Sequence, residues 1–142
     1  MHRAYPGIKR WLSRLQIDRN NSVWIATGKD RASCIKLLEM NGINFDPEKI
    51  VSKETSKSKA KQLAIIANKE GVTNSSVILI DDSLSYLREA RSIGAKPVLV
   101  RWGFGRKRAI REAKHAGIQS MRLPWFFGRS KQLSKILRQM RS

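Results

Sequence analysis

Thiols and imidazoles are scarce in this sequence. Its 142 residues include one cysteine, Cys34, and two histidines, His2 and His115. One cysteine cannot form a disulfide bond within the chain, and these three side chains lack the ligand spacing of a zinc or iron–sulfur site. The composition therefore argues against a disulfide scaffold and against a soft-metal centre.

Long apolar runs are missing as well. No segment approaches the roughly 20 apolar residues that a membrane-spanning helix needs, and the first residues, MHRAYPGIKRWL, lack the apolar core of a signal peptide. Hydrophobic residues make up 41% of the chain and charged residues 28%, a balance typical of a folded domain rather than of a disordered basic tail. We therefore expect a cytoplasmic protein without a membrane partner, with residues 1–142 in one domain.

Acidic side chains are few, and their distribution is uneven. The chain has 29 Lys and Arg against 11 Asp and Glu, for a net charge of +18. Residues 1–100 carry 17 basic and 10 acidic side chains, whereas residues 101–142 carry 12 basic ones and a single acid, Glu112. A polyanion would be attracted to this last third. Two interpretations stay open: a nucleic-acid-binding surface in 101–142, or an ordinary solvated basic surface.

Apolar periodicity alternates between the helical and the strand pattern along most of the chain. Strands separated by helical segments favour parallel pairing through right-handed crossovers. The sequence therefore predicts an α/β fold with a three-layer, Rossmann-like parallel sheet, and the basic last third belongs to the same domain. The predicted helices lie near 8–15, 30–40, 58–70, 84–93, 107–115 and 130–140, and the predicted strands at 23–26, 49–51, 77–80, 97–100 and 120–123.

Polar segments follow four of the predicted strands. They are Thr27–Lys29, Lys53–Lys59, Asp81–Asp82 and Arg101–Gly105. The carboxyl ends of parallel strands meet at one edge of a sheet, where proteins of this class bind their ligands. We therefore expect the four segments to converge on one site.

These segments carry chemistry suited to phosphate. Adjacent carboxylates at Asp81 and Asp82 suit Mg²⁺, and Thr27, with the backbone amides that follow it near a helix start, can hold a phosphoryl oxygen. Structural interpretations stay open beside these: Asp82 or Ser83 caps the next helix, and Thr27 is a turn residue whose hydroxyl is already satisfied. Most of the lysines around Lys57 must be ordinary solvated charges.

The order and spacing of the segments resemble the C-terminal part of haloacid dehalogenase-like (HAD) phosphatases of the phosphoglycolate phosphatase type. The resemblance covers about residues 5–140. Its segments are, in order, YPGI at 5–8, VWIAT at 23–27, a lysine before the third helix, ILIDDS at 78–83 and GAKPVLVRWGFG at 94–105.

The resemblance implies a role for several residues. Thr27 and Gly28 would bind the transferred phosphoryl group, and Lys57 would steady its charge, with Lys59 as the competing assignment for that lysine. Asp81 and Asp82 would help to hold Mg²⁺. By the same resemblance Thr27 and Lys57 would be the catalytic residues.

The resemblance also implies that one part is missing. The family's reaction begins with an aspartate nucleophile in a D-x-D pair on the central first strand, whereas the only acid before Val23 is Asp18, in a predicted turn. We therefore expect weak or no Mg²⁺ binding, and little or no phosphatase activity from this chain alone. Without the first strand, the strands on either side of it have unpaired edges. We favour direct pairing of the strand that ends at Thr27 with the strand that ends at Asp81. The alternatives are a strand supplied by another chain, or a remnant whose upstream part was lost.

Three functions follow from these observations, and whether the chain is an enzyme stays open. The first is a truncated or degenerate phosphatase-type domain with a remnant Mg²⁺ and phosphate site that binds a phosphorylated small molecule. The second is a nucleic-acid or ribosome-associated module that uses 101–142. The third is an active Mg²⁺-dependent phosphatase completed by another chain or by self-association.

Overall fold

Helices and short strands alternate along the chain. The computed structural model describes residues 8–101 and 106–121, apart from the side chain of Arg106. The helices of these ranges are α1 (Ile8–Ile17), α2 (Arg31–Met40), α3 (Lys59–Glu70), α4 (Leu84–Ser92) and α5 (Arg106–His115). The strands are β1 (Ile25–Ala26), β2 (Ile50–Val51), β3 (Ile78–Asp81), β4 (Lys96–Val100) and β5 (Gln119–Met121).

The predicted α/β fold class is confirmed. Each predicted helix and strand within the described ranges is present; β1 and β2 are shorter than predicted, and β4 is one residue longer. The predicted helix at 130–140, most of the loop at 101–105 and the end of the strand at 120–123 lie outside the described residues. In the described part of the chain, no helix is long and apolar enough to cross a membrane.

The strands form two parallel sheets rather than one. β1 pairs with β2, with Ile25 opposite Ile50. The other sheet has the order β3-β4-β5, with Ile80 opposite Val98. The predicted direct pairing of β1 with β3 is wrong, because a cleft of about 1100 Å³ lined by residues of both strands lies between them.

The apolar core lies on both faces of the larger sheet. Its central strand β4 is the most deeply buried, with Val98 and Leu99 fully inaccessible to solvent. On one face, Trp11 of α1 packs with Val98 and its neighbours. On the other face, Leu87 of α4 and Leu63 of α3 pack with Leu99. Helices on both sides of a parallel sheet make the three layers of the fold.

Side-chain caps fix where the helices near the strand ends begin. The Asp30 carboxylate accepts a hydrogen bond from the Ser33 backbone N–H at 2.8 Å and caps α2. The hydroxyls of Ser58 and Ser83 accept from backbone N–H groups in the first turns of α3 and α4. Because Ser83 takes this role in α4, the neighbouring Asp82 carboxylate is not the helix cap.

The inaccessibility of Leu99 generates a stability prediction. Replacing Leu99 with Ala removes buried methyl groups at the centre of the core, and should lower the free energy of unfolding by about 2–5 kcal/mol. The control is Ile17→Ala at the end of α1, where the side chain is 78% exposed and the expected loss is within about 0.5 kcal/mol. Urea denaturation measures both; equal losses would show that β4 is not the centre of the core.

Candidate active site

Three chain segments meet where β1 and β3 end. Thr27 directly follows β1, Asp81 is the last residue of β3, and Lys59 is the first residue of α3. The Lys59 Nζ reaches the β1 carbonyl that precedes Thr27, and its charge acts on the Asp81 carboxylate. Lys59 thus links the end of β1, which Thr27 follows, to Asp81 at the end of β3, at the edge of the sheets where ligands of α/β proteins bind.

Lys59 is a buried cation at the centre of this site. The residue is 3% exposed, its Nζ donates to the Ala26 carbonyl oxygen at 2.7 Å, and it lies 4.6 Å from the centroid of the Tyr86 ring. Burial lowers the pKa of Lys59, and the carboxylates of Asp81 and Glu89 oppose that shift. No described carboxylate lies within ion-pair distance of its Nζ, so the charge is only partly compensated.

Lys57, the residue predicted to steady the phosphate charge, lies in a different environment from Lys59. Its side chain is exposed, as are those of Lys53 and Lys61. The structure thus brings Lys59 to Asp81 and leaves Lys57 in solvent. Helical spacing carries the signal for this: Lys59 precedes buried Leu63 and Ile66 at i+4 and i+7, which puts all three on one face of α3.

Thr27 and Gly28 form the turn that leaves β1. The Thr27 backbone N–H donates to the Val51 carbonyl at 2.9 Å, and its Oγ1 accepts from the Lys29 N–H at 3.0 Å. As an acceptor, the hydroxyl keeps its own hydrogen to donate. Gly28 is exposed, and a Cβ at this position would lie 3.5 Å from the Tyr86 hydroxyl, an ordinary contact. A ligand oxygen can therefore approach the Thr27 hydroxyl and the Gly28 amide.

The two adjacent aspartates differ in environment. Asp81 is half-buried and its Oδ1 accepts from the Ser83 N–H at 2.9 Å, whereas Asp82 is exposed. Burial raises the pKa of Asp81 to about 6, against the lowering effects of that hydrogen bond and of the Lys59 charge. The side chain and charge of Asp82 also act on Asp81 and raise its pKa, so the two carboxylates form one interacting pair.

These aspartates do not by themselves fit a resident Mg²⁺. Within residues 8–101 and 106–121, no group of three His, Cys, Asp or Glu side chains is placed to hold a metal ion. One of the two carboxylates present is engaged by Ser83 and lies in the field of a lysine ammonium, which competes with a second cation. Two carboxylates can suffice for Mg²⁺ when water and a phosphate supply the other ligands, but here one of the two is already engaged.

Gln62 and Glu89 complete the site and were not among the predicted residues. The Gln62 side chain is 1% exposed, and its Nε2 donates to the carbonyl oxygens of Thr27 and Ser56, both at 2.9 Å. A Glu89 carboxylate oxygen accepts from the Ser58 hydroxyl at 3.3 Å, at the start of α3. A signal for Gln62 exists in the sequence, because a polar residue stands next to Leu63 on the apolar face of α3.

Fold and site together define the class of this protein. It is an α/β protein in which a hydroxyl, a buried lysine and a carboxylate pair lie at the carboxyl ends of two parallel strands. The model of the family described as haloacid dehalogenase-like hydrolase matches residues 1–100. The chain therefore belongs to the haloacid dehalogenase-like hydrolase family, and the predicted superfamily is confirmed.

Two further comparisons were negative. Neither a search of curated proteins nor a search of solved structures gave a match. The phosphoglycolate phosphatase subtype consequently stays a prediction from the sequence segments.

The double hydrogen bond from Gln62 generates a prediction about how the site is held. Gln62→Ala removes this donor from the carbonyls of the half-buried residues Thr27 and Ser56, and should lower the free energy of unfolding by about 1–3 kcal/mol. The matched control is Asn68→Ala, at an exposed position of the same helix, with an expected change within about 0.5 kcal/mol. Equal urea midpoints for the two variants would contradict the role given to Gln62.

Proposed function

We propose that this chain is a HAD-type domain that binds a phosphorylated small molecule at the carboxyl ends of β1 and β3 and does not hydrolyse it alone. The observation that carries the proposal is the position of Lys59. A cation that is 3% exposed and fixed at 2.7 Å on the Ala26 carbonyl is costly unless an anion compensates it. A phosphate group supplies that anion.

Each residue of the site has a distinct role in this proposal. The Thr27 hydroxyl and the Gly28 amide donate hydrogen bonds to phosphate oxygens, because both can be approached from solvent. Lys59, rather than Lys57, neutralises the phosphate charge, since Lys59 is the lysine held at the strand ends. Gln62 is a positioning residue that fixes the Thr27 carbonyl.

The proposed lack of hydrolysis follows from the chemistry of the described residues. The family's reaction needs a carboxylate nucleophile on a strand between β1 and β3, and in the described part of the chain a cleft occupies that position. The remaining groups position and neutralise a phosphate but do not attack it. We therefore infer that, within the described residues, Asp81 and Asp82 bind Mg²⁺ only weakly.

The proposal predicts different consequences for the two lysines. Lys59→Met removes the buried charge and should weaken the affinity for inorganic phosphate about ten-fold or more. Lys57→Met removes an exposed charge of the same kind, and a change under about two-fold is expected. Titration calorimetry with inorganic phosphate measures both. Equal effects of the two substitutions would contradict the assignment.

Activity assays test the catalytic half of the proposal. With Mg²⁺ and para-nitrophenyl phosphate, the chain should show no turnover above that of its Asp81→Ala variant. Turnover that the Asp81→Ala substitution abolishes would show that this chain alone is an active phosphatase, and would contradict the proposed lack of hydrolysis.

The exposed face of α5 favours a second candidate function, the binding of a nucleic acid. Lys107, Arg111 and Lys114 are exposed and follow one another at i, i+4 and i+7, so they share one side of the helix. Arg108, by contrast, donates to Glu112 at 2.8 Å. A row of cations on one helix face can track a phosphate backbone.

This second function predicts a steep salt dependence. Affinity for a duplex RNA should fall with added NaCl, and the combined variant Lys107→Ala, Arg111→Ala and Lys114→Ala should reduce the slope of log K against log salt by about 2 to 3. The matched control replaces three other exposed cations, Arg10, Lys36 and Lys53, by Ala. Binding that is insensitive to salt, or equally weakened by both sets, would remove this candidate.

A further inference from the structure

Tyr86 of α4 lies between two groups of the proposed phosphate site. The centroid of its ring is 4.6 Å from the Lys59 Nζ, and its hydroxyl lies beside Gly28, where a Cβ would be 3.5 Å from it. We propose that Tyr86 is a further ligand-binding residue, whose hydroxyl donates a hydrogen bond to the phosphate oxygen that the Gly28 amide also binds. This inference rests on the proposed phosphate binding and adds to it a residue outside the sequence segments that predicted the site.

The ring of Tyr86 limits how many donors Lys59 can offer to a ligand. An ammonium has three N–H donors, and the Lys59 Nζ uses one of them on the Ala26 carbonyl oxygen at 2.7 Å. Another side of the ammonium faces the electron-rich face of the Tyr86 ring. One donor therefore remains for a ligand oxygen, and the further donors that a phosphate needs must come from neighbouring residues.

Gly28 leaves the space beside the Tyr86 hydroxyl open. The residue is exposed, and its φ lies outside the left-handed region that favours glycine, so the backbone conformation does not require glycine here. A Cβ would meet the hydroxyl at 3.5 Å, an ordinary contact, and would fill the space between the hydroxyl and the Gly28 backbone. A phosphate oxygen that accepts from both donors, at about 2.8 Å from each, would take the same space.

Contacts of α4 fix Tyr86 in this position without a ligand. Its ring packs against the apolar core. Glu89, one turn further along α4, accepts from the Ser58 hydroxyl at 3.3 Å and from the Ala60 N–H at 3.4 Å, both at the start of α3. Residues three apart lie on the same side of a helix, so Tyr86 and Glu89 both face the start of α3. The hydroxyl is therefore preorganised, and its binding to a ligand loses little conformational entropy.

The hydroxyl is the part of Tyr86 that this role requires. A phenylalanine would keep the ring against Lys59 and against the core, but would lose the donor beside Gly28. A hydrogen bond from a hydroxyl to an anion is charge-assisted and stronger than one between neutral groups. The Tyr86→Phe substitution therefore separates a ligand-binding role from a structural one.

Titration calorimetry of the complete chain with inorganic phosphate tests the inference. Tyr86→Phe should weaken the affinity about ten-fold, and should leave the Tm without phosphate unchanged because the ring stays in place. The matched control is Ser85→Ala, which removes an exposed hydroxyl from the same helix and should change the affinity by less than about two-fold.

A second variant tests whether the hydroxyl and the amide share one oxygen. Gly28→Ala puts a methyl group into the space between them, should keep the wild-type Tm, and should weaken phosphate binding about ten-fold. Because the oxygen can then no longer reach the hydroxyl, adding Tyr86→Phe to Gly28→Ala should weaken binding by less than about two-fold more. Additive losses, about 100-fold in the double variant, would overturn the inference.

The outcomes separate this inference from the proposed function. Phosphate binding by the wild type that Tyr86→Phe leaves unchanged overturns the inference and leaves the proposed function intact. A loss of affinity that comes with a lower Tm in Tyr86→Phe also overturns the inference, because the role of Tyr86 is then structural. No phosphate binding by the wild type overturns the proposed function, and the inference with it.

Discussion

The hydrogen bond from the Lys59 ammonium to the Ala26 carbonyl is the interaction on which the arrangement of the site depends. It joins the start of α3 to the end of β1, and places the charge of Lys59 beside Asp81 at the end of β3. Burial makes this charge costly, and no described carboxylate lies within ion-pair distance of the Lys59 Nζ. The proposed phosphate binding follows from the requirement for an anion at this charge.

α3 replaces the strand pairing that β1 and β3 do not make. At one end its residue Gln62 holds the Thr27 carbonyl, and at the other Glu70 accepts hydrogen bonds from the Trp24 indole, at 2.6 Å, and from the Ser22 hydroxyl. These two hydrogen bonds lower the pKa of Glu70. One helix therefore fixes the small sheet along its whole length, which explains how a cleft can persist between two strands of an α/β core.

Much of the fold could be predicted from sequence, because apolar periodicity and caps are local signals. The helix at Lys59–Glu70, bounded by Ser58 and Gly71, is an example. The separation of β1 from β3 could not be predicted, because pairing between strands distant in sequence depends on what packs around them. Which lysine lies at the strand ends, Lys57 or Lys59, could be predicted only in part. Helical spacing places Lys59 on the apolar face of α3, but its contact with the Ala26 carbonyl appears only in three dimensions.

The central claim is that Lys59 is a buried cation positioned to receive an anion. The most direct measurement is heteronuclear NMR of the lysine Nζ groups, with Lys59 assigned by the loss of its signal in Lys59→Met, before and after addition of inorganic phosphate. The account predicts a Lys59 ammonium signal protected from solvent exchange, which shifts on addition of phosphate while those of exposed lysines do not. A Lys59 signal that exchanges as fast as those of the exposed lysines, and that phosphate leaves unchanged, would contradict it.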